Sequence, residues 1–132
     1  MIKHIIKHIG YIFRPQSRIN DIIDSDAWNL DHSLSMWIIP RLQKLRCSLN
    51  GYHPTILTDK ELIDSAVADG MKFVIGVDAN GINGVMLWGY ALDRMIYSFM
   101  CVDDLVFLNQ CETCRYNYGL DLFRKYFNNL WN

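Results

Sequence analysis

Apolar residues recur at helical spacing along most of this chain. The longest such run lies at 24 to 50, DSDAWNLDHSLSMWIIPRLQKLRCSLN. Within it Leu30, Leu34, Trp37, Ile38, Leu42, Leu45 and Leu49 recur at spacings of three and four, which forms one apolar stripe on a helix. Arg41, Gln43, Lys44 and Arg46 fall off that stripe. Asn29 is the predicted N-cap, Asp31 suits the positive end of the helix dipole, and Asn50-Gly51 is the predicted stop. Pro40 predicts a kink, because proline removes one N–H and clashes with the carbonyl four residues back. Such a kink lets a long helix wrap around a core.

Before this run, Ile2, Ile5, Ile6 and Ile9 share a helical face opposite Lys3, His4, Lys7 and His8. A terminal helix packed on the core is expected there, since two turns bury too little to hold a membrane alone. Residues 16 to 23 predict a short helical turn with Ile19, Ile22 and Ile23 inward. After the long run, 51 to 57 (GYHPTIL) reads as a loop, and Thr58 with Glu61 forms a capping box for a helix to about Asp69. That helix should turn Leu62, Ala66 and Val67 inward and stop at Gly70.

Residues 72 to 86, KFVIGVDANGINGVM, break the helical pattern. Phe73, Val74, Ile75 and Val77 favour strands, and Asn80-Gly81 suits a tight turn, so a small β-hairpin is predicted. Helical spacing returns over 85 to 100 with Trp88, Leu92, Met95, Ile96 and Phe99, and Asp93 and Arg94 lie beside that stripe. A last helix over about 112 to 130 carries Leu120, Phe123, Phe127, Leu130 and Trp131, with Gly119 allowing close packing. The expected fold is mainly α: a single compact helical domain, 1–132, of four to five helices with a small inserted β-hairpin. Its core should hold Leu34, Trp37, Ile38, Leu42, Leu45, Leu92, Met95, Phe99, Leu120, Phe123 and Phe127.

Composition narrows the functional classes. The 51% hydrophobic and 20% charged content is globular, and 132 residues suffice for a real core. A net charge of −1 argues against extended nucleic-acid binding, which needs a basic surface. No apolar run approaches the length of a membrane span, and charged residues interrupt the N-terminal apolar positions too often for a signal peptide. A reducing cytosol is expected, with the four cysteines as thiols. The acids are twelve Asp against two Glu, a bias toward helix caps and turns.

The best local constellation is Asp24, Asp26 and Asp31 with Trp28 between them. Clustered carboxylates can bind Mg²⁺ and, through it, phosphates, and Asp93 or Asp103-Asp104 folded against them would complete a metal-dependent phosphohydrolase. All-helical pyrophosphatases of that kind carry paired E-x-x-E/D motifs. Here Glu61-Leu-Ile-Asp64 is the only match. Helix capping by these Asp residues, with Trp28 in the core, is the plainer expectation. Cys111 and Cys114 form a C-x₂-C without a second ligand pair, which favours two incidental thiols over zinc. No P-loop, dinucleotide glycine motif or G-x-S-x-G is present.

Four segments carry a resemblance: DSDAWNLD at 24 to 31, WIIPRL at 37 to 42, WGYALDRMIYSF at 88 to 99 and GLDLFRKYFNNLW at 119 to 131. In order and spacing they resemble a family of short, uncharacterised proteins from tailed bacteriophages, over most of residues 20 to 131. The 71 to 85 segment is longer here than in that pattern. The resemblance implies a phage accessory protein made in the bacterial host cytoplasm, and it assigns no active residues.

The expected function is therefore non-catalytic binding, either inhibiting a host protein or sequestering a small host ligand, with no cofactor and no membrane. The candidate binding residues are Asp24, Asp26, Trp28, Asp31, Asp93 and Arg94. The first alternative is a Mg²⁺-dependent nucleotide phosphohydrolase using the Asp cluster. The second is a structural virion component, which would be a stable homo-oligomer with a large apolar interface.

Overall fold

The computed structural model describes residues 28–130. Four α-helices follow in order: α1 (Leu30–Cys47), α2 (Lys60–Ala68), α3 (Ala79–Met100) and α4 (Gln110–Lys125). Short 3₁₀ turns lie at Pro54–Thr58, Val102–Phe107 and Phe127–Asn129. The chain divides into two units, Met1–Leu34 and Ser35–Asn132. Only 28–34 of the first are described, and the helices expected over 2–9 and 16–23 lie outside the described residues.

No strand occurs among the described residues, so the expected β-hairpin is absent and the fold there is all-α. The segment 71–78 is irregular, and α3 already contains Asn80, Gly81 and Asn83. A side chain replaces the missing ladder. Asn83 Oδ1 accepts the Val74 N–H at 2.9 Å, and Asn83 Nδ2 donates to the Val74 carbonyl at 3.0 Å. This satisfies both backbone groups of Val74 as a paired strand would. The residues that resembled a turn start a helix, and the strand-like Ile75 and Val77 point into solvent.

Helix α1 begins directly after Asn29, whose carbonyl accepts the Ser33 N–H at 2.9 Å. It runs on through Pro40. One turn back, the Arg41 guanidinium covers the Trp37 ring at 3.9 Å and donates to the Trp37 carbonyl at 2.7 Å. The helix stops at Cys47, three residues before the expected Asn50-Gly51, and Gly51 is not in the left-handed region. The Ser48 hydroxyl donates to the Lys44 carbonyl at 2.7 Å and so satisfies one of the last free acceptors of α1.

The cap of α2 lies one residue later than expected. Asp59, not Thr58, accepts the Leu62 N–H, at 3.2 Å. The Thr58 hydroxyl instead donates to the Thr55 carbonyl at 3.0 Å, inside the 3₁₀ turn. The stop at Gly70 is as expected. Gly70 has φ +98°, its N–H bonds Val67, and Met71 N–H bonds Ala66, which is the Schellman arrangement. A full capping box does occur at the start of α4, between Asn109 and Glu112.

Helix α3 is the axis of the core in the Ser35–Asn132 unit. Leu87, Trp88, Ala91, Leu92, Met95, Ile96 and Phe99 are buried on it, joined by Leu42, Ile56, Leu62, Ala66, Leu122 and Tyr126. Ile38, Leu45, Leu120 and Phe123 pack against this core half-buried, as expected. Three expected core residues are at the surface: Leu34, Trp37 (55% exposed) and Phe127 (60% exposed). Periodicity identifies the apolar face of a helix but not where a neighbour ends. On α1 the core starts at Ile38, and past Phe123 it continues through Tyr126 and Leu130 while Phe127, edge to face with the Phe123 ring, stays exposed. Val67, expected inward, is exposed too.

Helices α3 and α4 approach closely at Gly119. A Cβ there would fall inside van der Waals contact of the Ser98 hydroxyl and the Arg94 carbonyl oxygen. Ser98 is fully buried at this crossing, and its hydroxyl donates to the Tyr116 carbonyl at 2.7 Å. The close packing expected of Gly119 is therefore real, and it brings a helix-to-helix hydrogen bond with it.

Candidate functional site

The loop that follows α1 folds back over α3 and borders a half-open cavity of about 350 Å³. Its walls are the 50–54 segment, Trp88 of α3 and Asn129 after α4. Each wall has a local cause. The Tyr52 ring sits on Gly84, one helical turn before Trp88, where an added Cβ would lie 2.5 Å from the ring. Glycine at 84 is thus what lets the loop lie this close to the helix.

His53 caps the 3₁₀ turn that follows. Its Nδ1 accepts from the Thr55 N–H at 3.4 Å and lies 2.6 Å from the Thr55 hydroxyl. With Nδ1 accepting, the neutral ring carries its proton on Nε2. Pro54 occupies the first position of the turn, where no N–H is needed. On the opposite wall, α4 ends at Lys125 and the chain turns through Phe127–Asn129, with the Asn129 N–H bonded to the Tyr126 carbonyl at 2.9 Å.

Trp88 is only 3% exposed, and Tyr126 holds it from behind, edge to face with 5.6 Å between ring centroids. Tyr126 is itself anchored. Its hydroxyl donates to Asp59 Oδ2, which also accepts from Lys125 Nζ at 2.7 Å. Burial by itself would raise the Asp59 carboxyl. The hydrogen bonds from Lys125, Tyr126 and the Leu62 amide, with the Lys125 charge, outweigh it and hold the group below its ordinary value. Burial, and then the bond to Asp59 and its negative charge, push the Tyr126 phenol upward. One aspartate thus caps α2, clamps the end of α4 and fixes the ring behind the cavity floor.

Among the described residues, the cavity walls carry no Lys, Arg, Asp or Glu. The described wall residues include the aromatic Tyr52, His53 and Trp88 and the amide-bearing Asn50 and Asn129. Among the described residues no hydrogen bond engages either amide. A second cavity of similar volume lies beside Asp59 and is lined by Glu61, Tyr118, Asp121, Arg124 and Lys125. Its charges are of both signs, with Asp59 and Lys125 paired at 2.7 Å, and Tyr118 is the aromatic residue among its described walls.

Of the expected site residues, Trp28 and Asp31 lie in the first unit and Asp93 and Arg94 in the second. Asp24 and Asp26 lie outside the described residues. Trp28 is 81% exposed, and Asp31 is exposed in the first turn of α1. Asp93 accepts from Arg46 Nε at 3.0 Å, an ion pair that ties α3 to α1. Arg94 lies near Tyr90 and Tyr97 and 3.9 Å from Asp69, which accepts from the Tyr90 hydroxyl at 2.7 Å. Both residues hold helices together. Among the described residues no group of three or more His, Cys, Asp or Glu is placed to hold a metal. Cys111 and Cys114 are exposed thiols on α4.

Asn50, Tyr52, His53 and Asn129 were not legible as a site. The only local signal is an aromatic pair and an amide in a short loop closed by proline, and Trp88 reads as one more core residue on its helix. Comparison with protein-family models, curated proteins and solved structures gave no match. The site is therefore read from its own chemistry.

Proposed function

We propose that the protein acts by non-catalytic binding and that the Trp88 cavity takes up a small host molecule. The observation that carries this reading is a mainly apolar cavity of about 350 Å³ over a buried tryptophan, with no Lys, Arg, Asp or Glu among its described wall residues and within the size range of small-ligand sites. The setting we propose, a phage accessory protein in the host cytoplasm, rests on the sequence resemblance. It agrees with the finding that no helix among the described residues is long and apolar enough to cross a membrane.

The test is native mass spectrometry of the full chain purified from a bacterial host, with any released molecule identified after denaturation. A stoichiometric small molecule, lost when Asn50→Trp fills the cavity, supports the reading. A folded chain that carries no ligand and gains no thermal stability from a library of neutral aromatic compounds counts against it. A second reading, a host protein as partner, draws on the exposed Ile75, Val77, Val106 and Phe107, since surface apolar side chains anchor interfaces. It predicts a stoichiometric host protein in the same preparation.

A further inference from the structure

The segment between α2 and α3 offers a surface that the Trp88 cavity does not use. We propose that residues 72–78 form an edge on which a second copy of this chain pairs, antiparallel and two-fold symmetric, about Val74.

The edge follows from the Asn83 clamp. One carboxamide takes both the N–H and the carbonyl of Val74, at 2.9 and 3.0 Å. Both groups therefore point to one side, as they do for a residue in a strand. The peptide bonds on either side of Val74 are trans. In a planar trans peptide the N–H and the C=O point in opposite directions. The Phe73 carbonyl and the Ile75 N–H thus point away from Asn83. Among the described residues neither group has a hydrogen-bond partner. Asn83 occupies one edge of Val74 and leaves the other open, and an unpaired strand edge is a template for another strand.

Three features select a second copy as the occupant. The open acceptor and the open donor flank Val74 on either side. A two-fold axis beside Val74 brings the Ile75 N–H of each copy to the Phe73 carbonyl of the other, in the antiparallel pattern. The charges match as well. Lys72 opens the segment and Asp78 closes it; both are exposed, and among the described residues neither side chain has a partner. Antiparallel pairing sets the positive end of each copy against the negative end of the other. The third feature is apolar surface. Val74, Ile75 and Val77 are exposed, the last two fully, and Val67 and Ile82, which flank the segment along the chain, are exposed too. The extended part is short, since Gly76 bends the chain at φ +139°. The contact is therefore smaller than a permanent interface, and the dimer forms reversibly.

Nuclear magnetic resonance of the full chain at rising concentration, with sedimentation velocity beside it, tests this. We expect a monomer–dimer equilibrium in which the Ile75 amide gains protection from hydrogen exchange as the dimer fills. The Val74 amide should be protected at every concentration, because Asn83 holds it within one copy. Ile75→Pro removes the donor from both copies and is compatible with an extended Val74, so it should weaken dimerisation by about tenfold or more. Asn83→Leu keeps Ile75 and Val77 but releases the edge, and it should weaken dimerisation too. Lys72→Glu alone should weaken it by about two- to fivefold, and Asp78→Lys added to it should restore it. Circular dichroism checks that the variants remain folded.

A chain that stays monomeric at about 1 mM overturns the proposal. A dimer whose Ile75 amide exchanges freely, or that survives both Ile75→Pro and Asn83→Leu unchanged, places the contact elsewhere and overturns it as well. A monomeric chain that takes up an extended peptide of another protein at Ile75 would keep the edge and overturn the second copy as its occupant. The Trp88 cavity is untouched by any of these outcomes.

Discussion

The rings of Trp88 and Tyr126 meet edge to face, 5.6 Å apart between centroids with 71° between their planes. Through this contact the floor of the aromatic cavity depends on a hydroxyl that points away from it, toward Asp59. Tyr126→Phe keeps the ring and removes the hydroxyl. We expect it to cost about 1–3 kcal/mol, the range for losing a hydrogen bond to a buried charged group. Urea unfolding with an unchanged m-value would check this, and a loss below a few tenths of a kcal/mol would mean the bond contributes little.

Acid stability should report Asp59. Its carboxyl is held below the ordinary 3.8 in the folded chain. The stability it contributes is therefore fully present above the unfolded value and is lost as pH falls through the lower folded value. Urea midpoints for the natural chain and Asp59→Asn should differ by a constant amount above about pH 5 and converge below about pH 4. A gap that stays constant down to pH 2.5 would show that the ionised form is not what matters.

The tyrosines should show the opposite dependence. Burial pushes the Tyr118 phenol up to about 12 and raises Tyr90, and burial with the Asp59 bond raises Tyr126. Groups raised in the folded state contribute stability that is present below the unfolded value near 10 and lost as pH rises through the folded values. Absorbance at 295 nm should therefore show these three ionising above the ordinary range, together with loss of helical circular dichroism. Full tyrosinate absorbance near pH 10 in a folded chain would contradict the packing described.

Two glycines on α3 should respond in opposite directions. Gly84 lies under the Tyr52 ring, whereas a Cβ at Gly81 meets nothing within 4 Å. Gly84→Ala should destabilise by about 1–3 kcal/mol through overpacking. Gly81→Ala should be neutral or stabilising by up to about 1 kcal/mol through helix propensity. Thermal unfolding of the pair is the check, and a stabilising Gly84→Ala would show that Tyr52 is not seated there.

The irregular segment 71–78 hangs on Asn83. Asn83→Leu removes both bonds to Val74 and should cost about 1–2 kcal/mol locally. Tryptic cleavage after the exposed Lys72 should accelerate while the global unfolding midpoint moves little. An unchanged cleavage rate would mean the segment is held by other contacts.

Much of this architecture was legible along the chain. The α3 stripe of Trp88, Leu92, Met95, Ile96 and Phe99 packs as its spacing says, because burial of an apolar face follows the 3.6-residue period whatever the neighbour is. The stop at Gly70 was legible for a similar reason: a left-handed φ is a local property that glycine alone meets at no cost.

What failed was each feature in which a distant residue outbids a local preference. Thr58 is an acceptable cap, but Asp59 takes the role because Lys125 and Tyr126, far along the chain, hold its carboxylate. Val74 favours a strand, but the Asn83 amide supplies its hydrogen bonds and a helix begins where the turn was expected. The cavity belongs to the same class. Its walls come from 50–54, 88 and 129, stretches that periodicity and spacing treat separately, and Gly84 matters only because Tyr52 lands on it. Local physics along the sequence determined helices, stops and the face each turns inward. Tertiary packing alone decided which polar groups became partners and which loop came to lie over Trp88, because those outcomes depend on distances between residues that the chain order does not encode.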